Sequence, residues 1–289
     1  MDKLQHLINT FHLNVLTIDD VPESYSSTVY KIKLIDHRSV YLKIPYSKIK
    51  FERELAALKR FQHELPVPQV VDYFEGDEDF TGAILLAELN GKPLSEAVDK
   101  SLAYDIGVYH AKLHNIVPTE KDLNGPIPTI FHQWTDFLHD HFYSFAKDVI
   151  EVIDPDLYDQ SVVFFESHLR SLPQPDGPSF IHNDFRPANI IIGENKVSGI
   201  IDFESVKIGS TEIDFTKMNR DIFMKYPGTK EAYQLGYESI RPIINLEDVL
   251  PFYRFLDAFS SIGWCKKRGI EKHRKFSQEN LKILRSLLQ

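Results

Sequence analysis

Apolar positions in the first third of the chain change period twice. Leu4, Leu7, Ile8 and Phe11 recur at helical spacing, which predicts a short amphipathic helix within residues 2–13. From Asn14 to Pro45 the pattern becomes that of strands. Val29–Ile35 alternates in part, Asp36-His37-Arg38-Ser39 reads as a turn, and Val40–Ile44 completes a hairpin. Phe51, Leu55, Leu58 and Phe61 then mark one face of a helix over 48–61. Pro66 and Pro68 close that region, and strands follow over 69–74 and 81–89. Asn90-Gly91-Lys92-Pro93-Leu94 breaks the chain, so a boundary is expected there, with domains at 1–90 and 91–289. Beyond it the period is helical, over 102–115, 129–150, 155–171, 229–240, 247–268 and 273–288.

Two apolar runs interrupt this helical stretch. Phe180-Ile181-His182-Asn183-Asp184-Phe185-Arg186-Pro187-Ala188-Asn189-Ile190-Ile191-Ile192 is followed, after Gly193-Glu194-Asn195-Lys196, by Val197-Ser198-Gly199-Ile200-Ile201-Asp202-Phe203-Glu204. β-Branched residues dominate both runs, which predicts a buried two-stranded ribbon whose polar ends face one place. An Asp and an Asn in a loop before a strand are ordinarily turn residues that bind their own backbone. Here a His, a second Asp and two strands accompany them. Phosphoryl transfer needs a carboxylate to orient and deprotonate the attacking hydroxyl, and hard oxygens for magnesium. Asp184 suits the first duty, and Asn189 and Asp202 suit the second.

The spacing His-x-Asp-x-x-x-x-Asn, then a strand, then Ile-Asp-Phe resembles the catalytic loop and metal-binding Asp of the protein-kinase-like fold. HNDFRPANIII with GIIDFE is closer to one branch of it, the aminoglycoside phosphotransferase and choline kinase family of small-molecule kinases. Glu204 stands where protein kinases carry the Gly of Asp-Phe-Gly, a position that varies in the small-molecule branch. The resemblance implies an α+β, two-lobed fold, with a small antiparallel-sheet N-lobe and a larger, mainly helical C-lobe. It implies ATP or GTP as phosphate donor, Mg2+, and a small hydroxyl-bearing acceptor. It also assigns residues. Lys43 would pair the nucleotide's phosphates, although a lone Lys in a strand commonly just reaches the surface. Glu54, rather than Glu52, would pair with Lys43. Ser26 and Ser27 fall in the nucleotide-covering loop, which here has no glycine. The carbonyl near Ala87 and the amide of Leu89 would grip the base, and Arg186 would steady charge on the transferring group.

An aminoglycoside-type antibiotic O-phosphotransferase is the first expectation for the acceptor. A kinase of choline, methylthioribose, homoserine or a similar alcohol, or a non-catalytic nucleotide-binding module, are the alternatives. Asp214, in Glu212-Ile213-Asp214-Phe215, is expected to brace the backbone of the catalytic loop. His110 and His114 stand four apart on one helix face, but no third ligand is evident in sequence, so they read as structural. Tyr253, Asp257 and Ser261, with Trp264 nearby, form a stripe that suits an amine or hydroxyl acceptor, or else belong to a core helix with satisfied polar groups.

Composition adds little beyond exclusion. At 289 residues with 43% hydrophobic and 26% charged positions, a substantial core can form without staples. The formal net charge of −9 is spread evenly across position 90 and disfavours nucleic acid as a ligand, since phosphate backbones need a basic face. Cys265 is the single cysteine, which rules out an intrachain disulfide and fits a reducing cytosol. Neither a signal segment nor a long apolar run is visible, so no membrane partner and a cytoplasmic location are expected.

Overall fold

The computed structural model describes residues 3–21, 27–78 and 80–289. In chain order its elements begin with α1 (Lys3–Thr10), β1 (Val15–Asp20), β2 (Ser27–Leu34), β3 (Ser39–Pro45), α2 (Lys48–Phe61), β4 (Val70–Phe74), β5 (Ala83–Ala87) and β6 (Lys92–Pro93). Then come α3 (Lys100–Asn115), α4 (Glu120–Leu123), α5 (Trp134–Val149), α6 (Pro155–Leu169) and β7 (Ser179–Ile181). The last are β8 (Ile190–Gly193), β9 (Lys196–Ile200), β10 (Lys207–Gly209), α7 (Phe215–Met218), α8 (Thr229–Glu238), α9 (Leu246–Arg268) and α10 (Arg274–Leu288).

β1 to β5 form one antiparallel sheet in the order β1-β2-β3-β5-β4. Leu7 and Phe11 from the α1 region pack on one face of it, against Ile32, Leu34, Val40, Leu42 and Leu85. α2 takes the other side. Ser47 caps it, its side chain accepting from the Lys50 N–H, and Phe51, Leu55, Leu58 and Phe61 are buried as their spacing predicts. Their cluster runs on past position 90 through Leu102 and Ile106 to Phe180, Phe203 and Phe215. A second cluster joins α5, α6, α9 and α10 around Phe142, Phe165, Phe255 and Phe259. The aromatics of 131–145 thus serve largely as core.

The predicted ribbon is present as β8 and β9, with Ile190 opposite Ile200, and β6 pairs along β8. β7 pairs with β10, Ile181 facing Lys207, which delivers the chain into the His182–Asp184 loop. α3 and α8 pack at glycines. A Cβ on Gly107 would lie 2.2 Å from the Tyr233 carbonyl oxygen, and one on Gly236 2.0 Å from that of Tyr104. This close approach brings the tyrosines of α8 onto the histidines of α3. Among the described residues no helix is long and apolar enough to cross a membrane.

Candidate active site

Four segments converge beside the ribbon. β3 contributes Lys43, a strand residue only 6% exposed. Its ammonium lies 2.8 and 2.7 Å from the two Glu54 oxygens and 2.7 Å from Asp202 Oδ1. Glu54 is therefore the partner from α2, while Glu52 turns to Lys48 at 3.9 Å on the surface. Burial pulls the Lys43 pKa down, but the Glu54 and Asp202 carboxylates outweigh it and hold the group charged. Lys43 is thus a buried, paired cation and not a snorkelling one.

Asp202 adopts φ 70°, ψ 57°, a left-handed turn that Asp tolerates better than most residues, as β9 gives way to a 3-10 turn over 203–205. Burial would raise its pKa, but Lys43 brings it below the usual carboxylate value. Glu204 follows, 5% exposed, its Oε1 2.9 Å from Lys50 Nζ on α2. Arg53 donates to the Glu204 carbonyl at 3.1 Å. The residue that replaces the protein-kinase glycine thus tethers α2, the helix that carries Glu54.

Asp184 lies in the loop between β7 and β8. Asn189 Nδ2 donates at 2.9 Å both to the Asp184 carbonyl and to Oδ2, and Arg186 Nε donates to Oδ2 at 3.2 Å. Lys217 Nζ donates to Oδ1. Burial works against ionisation of Asp184, but Lys217 and then Arg186 keep its pKa below the usual value. The two acids are linked through backbone: Ile201 N–H donates to the Asn189 carbonyl at 3.0 Å, and the Ile201 carbonyl accepts from His182 Nε2 at 3.0 Å. Asn189 has committed its amide N–H and Asp202 one oxygen. Among the described residues that leaves the Asn189 side-chain carbonyl and Asp202 Oδ2, two hard oxygens of the kind Mg2+ takes.

Asp214 holds this loop from below. Its Oδ2 accepts from His182 N–H at 2.5 Å and its Oδ1 from Asn183 N–H at 2.6 Å, aided by Asn183's left-handed φ of 61°. His110 and His114 direct Nε2 at Oδ2 from 3.4 and 3.2 Å. Their Nδ1 atoms meet the hydroxyls of Tyr233 and Tyr237. A third potential metal ligand therefore does stand beside the histidine pair, and the three groups lie within 4.8 Å of one another. The structural reading survives for a different reason than sequence suggested: every one of these polar atoms already has a partner. Although burial pushes Asp214 up, its histidine bonds hold it well below the usual range.

Burial, and next His114, hold His110 neutral down to about pH 3, and burial also lowers His114. In the unfolded chain both titrate near 6.5. Below pH 6.5 the unfolded state therefore binds protons that the folded state refuses, and stability falls as pH falls, by about 1.4 kcal/mol per pH unit per histidine. The depressed Asp214 pKa adds a loss only below its ordinary value of 3.8. Glu54 and Glu212, each pushed up to about 7 by burial, bind protons in the folded state over the same window and offset part of this loss. The histidine share should therefore show as a shallower fall of melting temperature below pH 6.5 in His110→Gln than in the parent, and equal slopes would contradict this assignment.

Other expected site residues fall as follows. Ser26 lies outside the described residues. Ser27 is not in a loop; it opens β2 opposite Pro45 and is 5% exposed. Ala87 ends β5, and its N–H donates to the Gln69 carbonyl at 2.9 Å. Leu89 follows it and packs against Gly199 of β9, where a Cβ would lie 2.3 Å from Leu89 Cδ1. Tyr253 is 2% exposed and accepts from Trp134 Nε1 at 2.9 Å, and Asp257 pairs with Arg220 at 2.7 Å. The α9 stripe is thus mostly internal, with Tyr253 and Asp257 satisfied within the fold. Lys217 was missed. It carries no motif; its one sequence signal is its place three residues after Asp214, on the turn that reaches toward the loop Asp214 braces.

A five-stranded antiparallel sheet over a mainly helical body, with a strand lysine paired to a helix glutamate and an Asp–Asn loop beside a ribbon, defines a kinase-like phosphotransferase fold. The chain belongs to the phosphotransferase enzyme family, whose model matches residues 17–251. Among solved structures it resembles APH(2")-IIia in complex with GDP and kanamycin, with TM-score 0.78 at 14% identity over 98% of this chain and 97% of that one. It also resembles macrolide 2'-phosphotransferase MphH from Brachybacterium faecium, with TM-score 0.71 at 16% identity over 97% of each chain. The hygromycin B and AMP-PNP complex of aminoglycoside phosphotransferase APH(4)-Ia is similar too, with TM-score 0.71 at 14% identity over 100% of this chain and 98% of that one. No curated protein matches by sequence at a significant level.

Proposed function

We propose that this phosphotransferase moves the γ-phosphoryl group of ATP or GTP onto a hydroxyl of a small molecule. The supporting observation is that Asp184 is kept ionised and oriented by Asn189, Arg186 and Lys217, on a loop that backbone hydrogen bonds tie to the segment bearing Asp202. In this reading residues 1–90 form the lobe that holds the nucleotide. Lys43, fixed by Glu54, meets the phosphates; the Ala87 carbonyl and Leu89 amide meet the base; and Ser26 and Ser27 offer donors to the phosphates, Ser27 from the start of β2. Residues 91–289 supply the catalytic loop and the acceptor side. Asn189 and Asp202 hold Mg2+, which offsets phosphate charge when bound.

Asp184 accepts a hydrogen bond from the acceptor hydroxyl and aligns its oxygen on the γ-phosphorus. That oxygen forms the new P–O bond, the bond to the β-bridging oxygen breaks, and the nucleoside diphosphate leaves. The hydroxyl proton passes to Asp184 and then to solvent. Arg186 lies beside the carboxylate, where a guanidinium can steady charge on the group in flight. A cytoplasmic enzyme has the nucleotide at hand. Aminoglycosides, as in two of the structural neighbours, are one acceptor class, and metabolite alcohols are the other; antibiotic resistance follows only from the first.

Coupled ADP release with aminoglycosides, a macrolide, choline, homoserine and methylthioribose tests the reaction. We expect Mg2+-dependent release that one acceptor class stimulates at least tenfold over the rate with water. Nucleotide binding with no release to any acceptor or to water would instead mark a non-catalytic binding module.

A further inference from the structure

The charges around the cleft divide into two sets. Lys43 sits among Glu54, Asp202 and Glu204, and each of those carboxylates already meets a lysine, Lys43 or Lys50. On the other side of Asp184 the picture differs. Lys217 and Arg186 share the single Asp184 carboxylate. Asp214 spends its oxygens on two backbone N–H groups and two histidines. Lys207 has nothing comparable. Among the described residues its ammonium meets only the Ser205 carbonyl at 3.4 Å and the Phe137 ring at 5.6 Å, and no carboxylate.

Arg53 is in a similar position. One of its N–H groups donates to the Glu204 carbonyl, while its Nε is shielded from solvent with no hydrogen-bond partner. It forms no ion pair among the described residues. Burial, and then the neighbouring Arg53, bring the Lys207 pKa down to about 8, the Asp214 charge opposing them in part and Lys217 adding to the shift. His141, on the facing side of α5, is pushed down to about 4 by burial and then by Lys207, Lys217 and Lys267. A half-buried lysine crowded by like charges, with no carboxylate in contact and only Asp214, already committed elsewhere, acting on it from a distance, is unfavourable unless something supplies an anion. Lys207 lies on β10, opposite Ile181, one residue before the loop that carries Asp184. Lys217, which holds Asp184, also acts on Lys207 through space, which links Asp184 and Lys207 along one side of the loop.

We propose that the acceptor is an anionic alcohol, a hydroxyl compound bearing a carboxylate or phosphate ester that Lys207, with Arg53 and Lys217 beside it, receives while its hydroxyl faces Asp184. This deepens the phosphoryl-transfer reading and rests on it. It turns against a polycationic acceptor, which would bring further positive charge to a place with too much of it.

Direct binding is the test, on the full chain saturated with AMP-PNP and Mg2+ so that the phosphate sites for the nucleotide, the γ-site included, are filled. Three matched sugar derivatives serve as probes: gluconate, the neutral glucitol and the cationic glucosamine. Inorganic sulfate is the fourth. Calorimetry should detect gluconate and sulfate and give at least tenfold weaker binding, or none, for glucitol and glucosamine. Lys207→Met should weaken gluconate and sulfate by about ten- to a hundred-fold, the worth of one charge-assisted contact, and leave AMP-PNP affinity within threefold. Lys207→Arg should keep most of the anion binding, which guards against a merely unfolded Met variant.

The proposal is overturned if none of the anions binds, if glucosamine binds as well as gluconate, or if Lys207→Met weakens AMP-PNP rather than the anions. It is also overturned if the anions bind the Met variant as well as the parent. Slow ATP hydrolysis to water, measured in parallel for the parent and Asp184→Asn, reports on the reading beneath. Anion binding without Asp184-dependent hydrolysis would sink that reading alone, and hydrolysis without anion binding would sink this proposal alone.

Discussion

Asp184→Asn is expected to lower the turnover number by about 10²- to 10⁴-fold, the ordinary worth of a positioned general base, and to leave nucleotide affinity within a few fold. The argument rests on how the two halves of the site are wired. Lys43, Glu54 and Asp202 contact one another directly, and Asp184 has no hydrogen bond to any of them among the described residues. Removing its charge therefore spares the set assigned to the nucleotide. On its own side the damage is specific: an amide puts N–H in place of one of the two oxygens, facing either Asn189 or Lys217, which are themselves donors. Because Lys217 and Arg186 hold the carboxylate ionised well into acid, no acidic limb from Asp184 should appear in the rate profile above pH 4. Steady-state kinetics with fluorescence titration of nucleotide checks both halves. Turnover within a few fold of the parent would remove Asp184 from the role of base.

Much of this arrangement was legible in sequence because long elements announce themselves. The periodicities of α2, α9 and α10 gave their bounds to within one residue, since a buried apolar face forces a 3.6-residue repeat over many turns. The ribbon of β8 and β9 was legible from β-branched runs. The short pieces were not. β6, β7 and β10 are two or three residues long, too short to show a period, and β10 is the strand that carries Lys207. Ser27 was assigned to a loop because Ser-Ser-Thr reads as turn chemistry, yet pairing with Pro45 draws it into β2. Motif spacing found Asp184, Asn189 and Asp202, which act through a fixed local geometry. Lys217 and Arg53 reach Asp184 and Glu204 across the fold, and nothing local marks such a contact. The charge of this chain is a related case. Its sum of −9 says nothing of where the charges stand, whereas what bears on acceptor choice is that the acids near Asp184 are already paired and Lys207 touches no carboxylate.

Asp214→Ala is expected to do what Asp184→Asn does not, which is to destabilise the whole fold. The Asp214 side chain is 0% exposed and accepts from two backbone N–H groups and two imidazoles. Deleting it strands three buried donors and a half-buried fourth at once, and breaking a buried charged network of this kind costs about 3–5 kcal/mol. For a chain of this size each kcal/mol moves the melting temperature by about 2–4 °C, so a fall of roughly 10 °C is expected. Burial lowers both histidines and Asp214 raises them against it, so without the carboxylate they stay neutral further into acid, and the acid-sensitive slope between pH 6.5 and 5 should be at least as steep in the variant. Catalysis should fall as well, because the His182 and Asn183 N–H groups lose the acceptor that fixes the loop in front of Asp184. Amide exchange at those two residues is the measurement that separates a slackened loop from a merely less stable protein. Protection lost there under conditions where α9 stays protected is the expected pattern, and a variant melting within 2 °C of the parent would show that Asp214 does not hold the loop.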